Sequence, residues 1–469
     1  MLLSALSGPS SKMRLPKALL SPLRSHPMRS LLLGTFLWGL LHAQKPALQS
    51  GPMIGTIQLR EAKIWLQTTA PAQVFIEFTD SARSAPPRRT APILTKAEEA
   101  HTAVFTLAPL EPGTRYYYKI FLNGKLLPIA DTLTFRTLPL WRWRGAPPDF
   151  RFVIGSCAYI NDSPYDRPGE PYGGEYEIFE QIAAQKPDFM LWLGDNVYLR
   201  EPDWNSEAGI LYRYTHTRSL PQLQKLLRVC PHYATWDDHD FGPNDADRSF
   251  WNRNATRRAF TLFWANPSYG VPAAPEGITT FFEWGDVEFF LLDDRTYRAP
   301  NKRKTGDRSF LGEAQLEWLI DALRSSRATF KFVACGGQIL STSQGYENMI
   351  GFPEEREKLL KRLEEEDIGG VVFLTGDRHF SEISRLRLGN GRVVYDITSS
   401  PLTAKAFAEA ETRDKNALRV EGTLTTQRNF ILIQVVGPER SRRLEIACYN
   451  SQGAKLWERT IQASELYGR

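Results

Sequence analysis

The sequence predicts an α/β protein in two parts: an N-terminal β-sandwich over residues 51–137, followed by a layered α/β domain over residues 150–469. Three observations lead there. Residues 51–137 alternate apolar and polar side chains in short runs separated by Pro, Gly and Asp, as half-buried antiparallel strands do. From Phe150 the apolar runs become continuous, as strands buried on both faces do. Stretches with helical spacing lie between several of these runs, which indicates strand–helix alternation.

Taken in order, residues 1–43 read as an export leader. "MRSLLLGTFLWGLLHAQ" has a charged start, an apolar run from Leu31 to Leu41, and the small Ala43 as a cleavage position. That run is shorter than the roughly 20 residues of a membrane span, and no later run reaches spanning length. The expected location is therefore periplasmic or extracellular. "AKIWLQTT", "AQVFIEFTD", "HTAVFTLAPL", "TRYYYKIFLNGK" and "DTLTFRT" are the sandwich strands, with a hairpin signal at Asn123-Gly124. Residues 138–149, "LPLWRWRGAPPD", are a linker. In the second part "FRFVIGSC", "PDFMLWLGDNVY", "HYATWDDHD", "VEFFLLDDRTYR", "FKFVACGGQ" and "GGVVFLTGDRHF" are strands, with "GEAQLEWLIDALRSS" and "EEREKLLKRLEEE" among the helices. "GRVVYDITSSPLT" and the runs after it complete a sheet without evident chemistry.

Charge excludes one class of partner. The formal net charge is +5, and Lys12, Arg14, Lys17, Arg24 and Arg29 supply all of it within residues 1–43. The remainder is balanced, so no basic patch for nucleic acid is indicated. Four scattered cysteines do not make a disulfide framework, although an oxidising compartment permits pairing. Oligomeric state leaves no trace in the sequence.

The chemistry lies at the carboxyl ends of the apolar runs, where open α/β folds place their sites. Cys157; Asp195, Asn196 and Tyr198; Asp237, Asp238, His239 and Asp240; Asp293, Asp294 and Arg295; Gln338; and Asp377, Arg378 and His379 all stand there. If the strands lie side by side, these groups converge on one rim. So many desolvated carboxylates repel one another, and bound cations relieve the repulsion. Each piece also has an ordinary reading: Cys157 as a buried thiol, Tyr198 as core, Arg295 as a salt-bridge partner, "TGDRHF" as a turn. Their shared placement favours a metal site. Asp237 and Asp240 are expected to orient neighbours, and Asp245 and Asp247 to flank the entrance or cap the next helix. Asn244 caps a turn or reaches a metal. The loop after Cys157 is expected either to contact substrate through Arg167 or Tyr172 or to be a structural turn, and His216 and Arg218 are candidates for a second wall.

The ordered set "GSC … GDNVY … TWDDHDFGPNDAD … LLDDRTYR … LGEAQLEWL … GGQ … TGDRHF" resembles the PhoD-like alkaline phosphatases, a branch of the calcineurin-like metallophosphoesterases. The preceding part resembles a fibronectin type III domain. The resemblance implies an exported phosphoester hydrolase in which metal-activated hydroxide attacks phosphorus. It implies iron together with calcium, or another divalent ion such as manganese or zinc. It carries over Cys157, Asp195, Tyr198, Asp238, Asp377 and His379 as metal ligands, with Asp195 bridging the ions. His239 would stabilise the transition state or protonate the leaving oxygen, and Arg295 would contact phosphate. Gln338 falls near the position of a superfamily histidine. Phosphodiesterase or phospholipase-like action on larger esters is the alternative reading of the same site. A non-catalytic surface-binding protein on this scaffold is the alternative from another class.

Overall fold

The computed structural model describes residues 45–82, 86–345 and 348–468, so the expected leader over 1–43 lies outside the described residues. Among the described residues no helix is long and apolar enough to cross a membrane.

The N-terminal part is two facing sheets. Leu48–Ile57, Ala62–Thr68 and Thr102–Leu107 form one, and Gln73–Asp80 and Arg115–Leu122 lead the other. Alternation sorts the side chains: Val74, Ile76 and Phe78 and, on the partner strand, Tyr116, Tyr118 and Ile120 enter the core with Ile64, Leu66 and Phe105. The Asn-Gly turn forms as expected, with Asn123 at φ 47° and Gly124 at φ 76°. The strand Leu48–Ile57 has no counterpart in the sequence reading, because Gly51 and Pro52 look like punctuation within it. Residues 138–149 form turns and irregular chain, with no helix or strand.

The second part holds two six-stranded sheets. One runs in the order His232–Thr235, Phe189–Leu193, Phe150–Gly155, Asn429–Val436, Arg443–Asn450, Lys455–Gln462, and its first three strands are parallel. The other runs Thr280–Trp284, Val287–Leu291, Phe330–Ala334, Val371–Thr375, Val393–Thr398, Glu382–Arg387, with the middle four parallel. Their facing sides share one core, including Phe152, Ile154, Phe189, Leu191, Phe289 and Phe332. The intervening residues Val153, Met190 and Trp192 pack outward against the helices Ile178–Ala184, Pro221–Val229 and Arg253–Phe263. On the far side Phe290, Val333 and Phe373 pack against Glu313–Ser325 and Pro353–Glu365. The result is four layers, helix–sheet–sheet–helix. This burial on both faces is why the strands read as unbroken apolar runs.

The two parts are continuous. Trp65 shares a core cluster with Phe263 and Trp264 and donates from Nε1 to the Leu262 carbonyl at 2.8 Å. Lys63 Nζ donates to the Asn266 carbonyl at 2.9 Å. Lys45 to Arg469 form one compact unit.

Candidate metal centre

The polar groups leave the carboxyl ends of the parallel strands through abrupt turns. Cys157 (φ 59°), Asp195 (φ 52°), Asp377 (φ 66°) and His379 (φ 56°) all adopt left-handed backbone, which costs a non-glycine residue about 1–3 kcal/mol. Such strain persists where surrounding structure over-determines it. Here tight packing does so: a Cβ added to Gly194 would lie 2.6 Å from the Asp237 Cβ, and one added to Gly336 would lie 2.4 Å from the Asp237 Cγ. These strand-end glycines let the two rims meet over the acidic turn.

Three sets of donor atoms each lie within 4.8 Å of one another: Cys157, Asp195 and His379; Asp195, Asp238 and His239; and Asp237, Asp238 and Asp377. Asp195 and Asp238 each belong to two of them. Cys157 Sγ is 3.5 Å from Asp195 Oδ2. The Tyr198 hydroxyl is 3.2 Å from His379 Nε2, and the Tyr198 ring centroid is 4.2 Å from that of His239. The His239 backbone N–H donates to Asp195 Oδ1 at 3.3 Å. Asp238 Oδ2 accepts the Asp245 N–H at 2.6 Å, while the buried Asp238 Oδ1 has no hydrogen-bond partner among the described residues. Asp237 and Asp240 form a reciprocal cap at the N-terminal end of the one-turn helix Asp238–Phe241, each side chain accepting the other's backbone N–H, and Asp240 also accepts the Asn196 N–H at 3.1 Å. The expectation that these two acids orient neighbours matches this geometry.

Without a cation the cluster is electrostatically frustrated. Burial, then the charges of Asp195 and Asp377, push the Cys157 thiol well above its usual range. Burial, then Asp238, Asp240 and Asp377, raise Asp195 well above a normal carboxylate. Burial and the Asp195 charge likewise raise Tyr198, and burial pushes the His379 imidazole down to about 4. A bound cation inverts each preference, since thiolate, carboxylate, phenolate and neutral imidazole are the ligating forms. The His379 ring is set for that role. Its Nδ1 lies 2.9 Å from the Lys405 carbonyl, which only accepts, so the proton is on Nδ1 and the Nε2 lone pair faces Tyr198. Ser400 Oγ donates to Cys157 Sγ at 3.1 Å. The residues present fit a metal pair sharing Asp195.

The cluster opens into a cleft of about 460 Å³ lined by Tyr172, Asp195, Asp238, His239, Asp377 and His379, with Asn244, Arg378, Lys405 and Phe407 at its margins. A larger groove of about 600 Å³ on the sandwich, between Tyr117, Leu126 and Ile129, holds none of these donors.

Cys157, Asp195, Tyr198, Asp238, His239, Asp377 and His379 are thus brought together. Arg295 is not. It is fully buried, donates from Nε to Asp237 Oδ1 at 2.6 Å and from an NH group to the Ala246 carbonyl at 3.2 Å, and does not line the cleft. A strand-end position gave its rim but not its depth, and its guanidinium braces Asp237 in place of the expected phosphate contact. Gln338 donates to Glu382 and Thr398 at 2.9 Å each in the core, away from the cleft. His216 bonds the Asn161 carbonyl at 2.9 Å, and Arg167 pairs with Glu201 at 3.3 Å. Neither lines the cleft, whereas Tyr172, Asn244 and Asp245 do. Asp247 accepts the Ser249 N–H at 2.8 Å. The sequence reading missed Ser400, Lys405 and Phe407 by treating the segment after Val393–Thr398 as inert; its strand-end "SSP" was the available signal.

Residues 152–435 match the PhoD-like phosphatase family. The chain belongs to that family. Residues 45–137 match a domain of unknown function, DUF7800. Alkaline phosphatase D of Bacillus subtilis (strain 168) is 26% identical over 364 residues, covering 67% of this chain and 58% of the relative, so the match spans little more than half of that protein's length. Among solved structures, PhoD superposes with a TM-score of 0.71 at 19% identity, covering 86% of this chain and 91% of that one. The purple acid phosphatase PPD1 from yellow lupin (Lupinus luteus) seeds gives 0.62 at 14% identity, covering 88% and 74%. These likenesses show a shared metallophosphoesterase-type fold.

Proposed function

We propose that the protein is an exported, metal-dependent phosphoester hydrolase. The single observation that carries this is the convergence of three linked donor sets, the first two sharing Asp195 and the last two sharing Asp238, which is the chaining that a pair of ions would need. Cys157, Tyr198 and His379 with Asp195 would hold iron, for which sulfur, phenolate and imidazole are suited. Asp238 and Asp377 with Asp195 would hold the second ion, and their hard oxygens favour calcium over manganese or zinc. Such a pair supplies Lewis-acid activation of water and neutralises charge on phosphoryl oxygens. The chain's own residues do the rest. His239, its side chain 20% exposed at the cleft and its ring against Tyr198, delivers a proton to the leaving oxygen. The Asp237–Arg295 pair holds the turn that presents Asp238 and His239. Family membership supports the reaction class, and the leader over 1–43 supports export.

The test is hydrolysis of 4-nitrophenyl phosphate and bis(4-nitrophenyl) phosphate by protein of measured metal content. Hydrolysis that chelation abolishes and Asp195→Asn removes together with bound metal is expected, and the better substrate distinguishes monoesterase from diesterase. Full activity in Asp195→Asn, or none in protein loaded with iron and calcium, would overturn the reading.

A further inference from the structure

Tyr172 has a role that neither the donor sets nor the fold assigns. Its hydroxyl lies 3.1 Å from His379 Nδ1, the nitrogen already committed to the Lys405 carbonyl at 2.9 Å. Because that carbonyl fixes the proton on Nδ1, the Tyr172 oxygen can only accept from this histidine. The hydroxyl keeps its own hydrogen, which has no other acceptor among the described residues. The residue is 36% exposed and lines the cleft beside Asp195 and Asp377.

The phenol is held in place from behind. Its ring meets Tyr159 edge-on at 4.8 Å. The Arg428 guanidinium donates to the Tyr172 carbonyl at 3.3 Å, the Thr403 carbonyl at 2.8 Å and Glu175 at 3.1 Å, clipping together the two loops that flank the cleft. Gly174 N–H donates to the Thr403 carbonyl at 3.0 Å, closing the same seam. A donor fixed this way loses little freedom on meeting an oxyanion.

We infer that Tyr172 is a substrate-binding residue that gives its hydroxyl hydrogen to a non-bridging oxygen of the phosphoryl group, with His379 as the acceptor-side anchor that aims it. This rests on the phosphoester-hydrolase reading. It also names a neutral donor for the contact that buried Arg295 does not make.

The experiment compares Tyr172→Phe with the parent protein, which keeps the ring and removes only the hydroxyl. Inorganic phosphate binding is measured by calorimetry, alongside metal content, visible absorption and ester hydrolysis. Phosphate should bind about 3- to 10-fold more weakly, the range for one neutral hydrogen bond. The specificity constant kcat/KM should fall roughly 10- to 100-fold, with metal content and spectrum unchanged. Unchanged phosphate affinity and turnover would overturn the inference alone. Loss of metal or an altered spectrum would also overturn it, by making Tyr172 a support of the metal centre. A parent protein that binds no phosphate and hydrolyses no ester would overturn the functional reading as well.

Discussion

Removing the Arg295 charge should cost several kcal/mol, and removing its partner as well should return much of that. Arg295 and Asp237 are both fully buried, with Arg295 Nε 2.6 Å from Asp237 Oδ1. Deleting one member of such a pair leaves a desolvated charge and costs about 3–5 kcal/mol. For Arg295→Met the conversion to temperature follows from unfolding entropy. Roughly 2 cal/mol/K per residue, over the 425 residues from Lys45 to Arg469, gives about 0.9 kcal/mol/K. The melting temperature should therefore drop by about 3–6 °C. Arg295→Met/Asp237→Asn removes the Asp237 charge as well, leaving only the buried Asp294, 3.9 Å from Arg295 Nε, without this cation, so much of the loss should be recovered. Differential scanning calorimetry of the parent, both single variants and the double variant closes the cycle. A single variant melting within about 1 °C of the parent, or a double variant melting no higher than Arg295→Met, would refute the coupling.

Two further outcomes follow from groups at opposite ends of the same strand-to-turn segment. His232 is fully buried, and burial pushes its imidazole down to about 3. It is neutral in the fold and takes up a proton on unfolding below about pH 6.5. The stability it contributes is therefore complete above that pH and is lost as pH falls towards 3, by about 1.4 kcal/mol per pH unit. Urea titrations should show the parent losing stability more steeply between pH 6 and pH 4 than His232→Gln, and equal slopes would exclude this residue as the cause. His239→Ala should retain bound metal and lower turnover roughly 100-fold; stopped-assay kinetics with metal analysis checks both, and undiminished turnover removes His239 from proton delivery.

Much of this architecture was legible in the sequence because buried parallel strands cannot disguise themselves. "FMLWL" and "VVFLT" read as strands without help, and the polar residue after each marks the rim. Cys157, Asp195, Asp238 and Asp377 were found for that reason. What the pattern cannot encode is depth or distant company. Arg295 and Asp238 both follow strands, yet one braces the turn from beneath and the other faces the cleft. Gln338 ends its strand just as Asp377 does, but it turns into the core towards Glu382. Ser400 and Lys405 act on Cys157 and His379 through contacts more than 20 residues apart in sequence. A single sheet would also explain the runs; that there are two, sharing the core around Phe152 and Phe332, depends on pairings that no local stretch contains.

The strand Phe150–Gly155 sits between Phe189–Leu193 on one edge and Asn429–Val436 on the other. The turn carrying Cys157 is thus completed by chain made some 270 residues after it, and its other donors arrive at Asp195, Asp238 and finally His379. During synthesis Asp195 and the acidic run at 237–240 leave the ribosome well before Asp377 and His379, so the three donor sets stand together only once nearly the whole chain has been made.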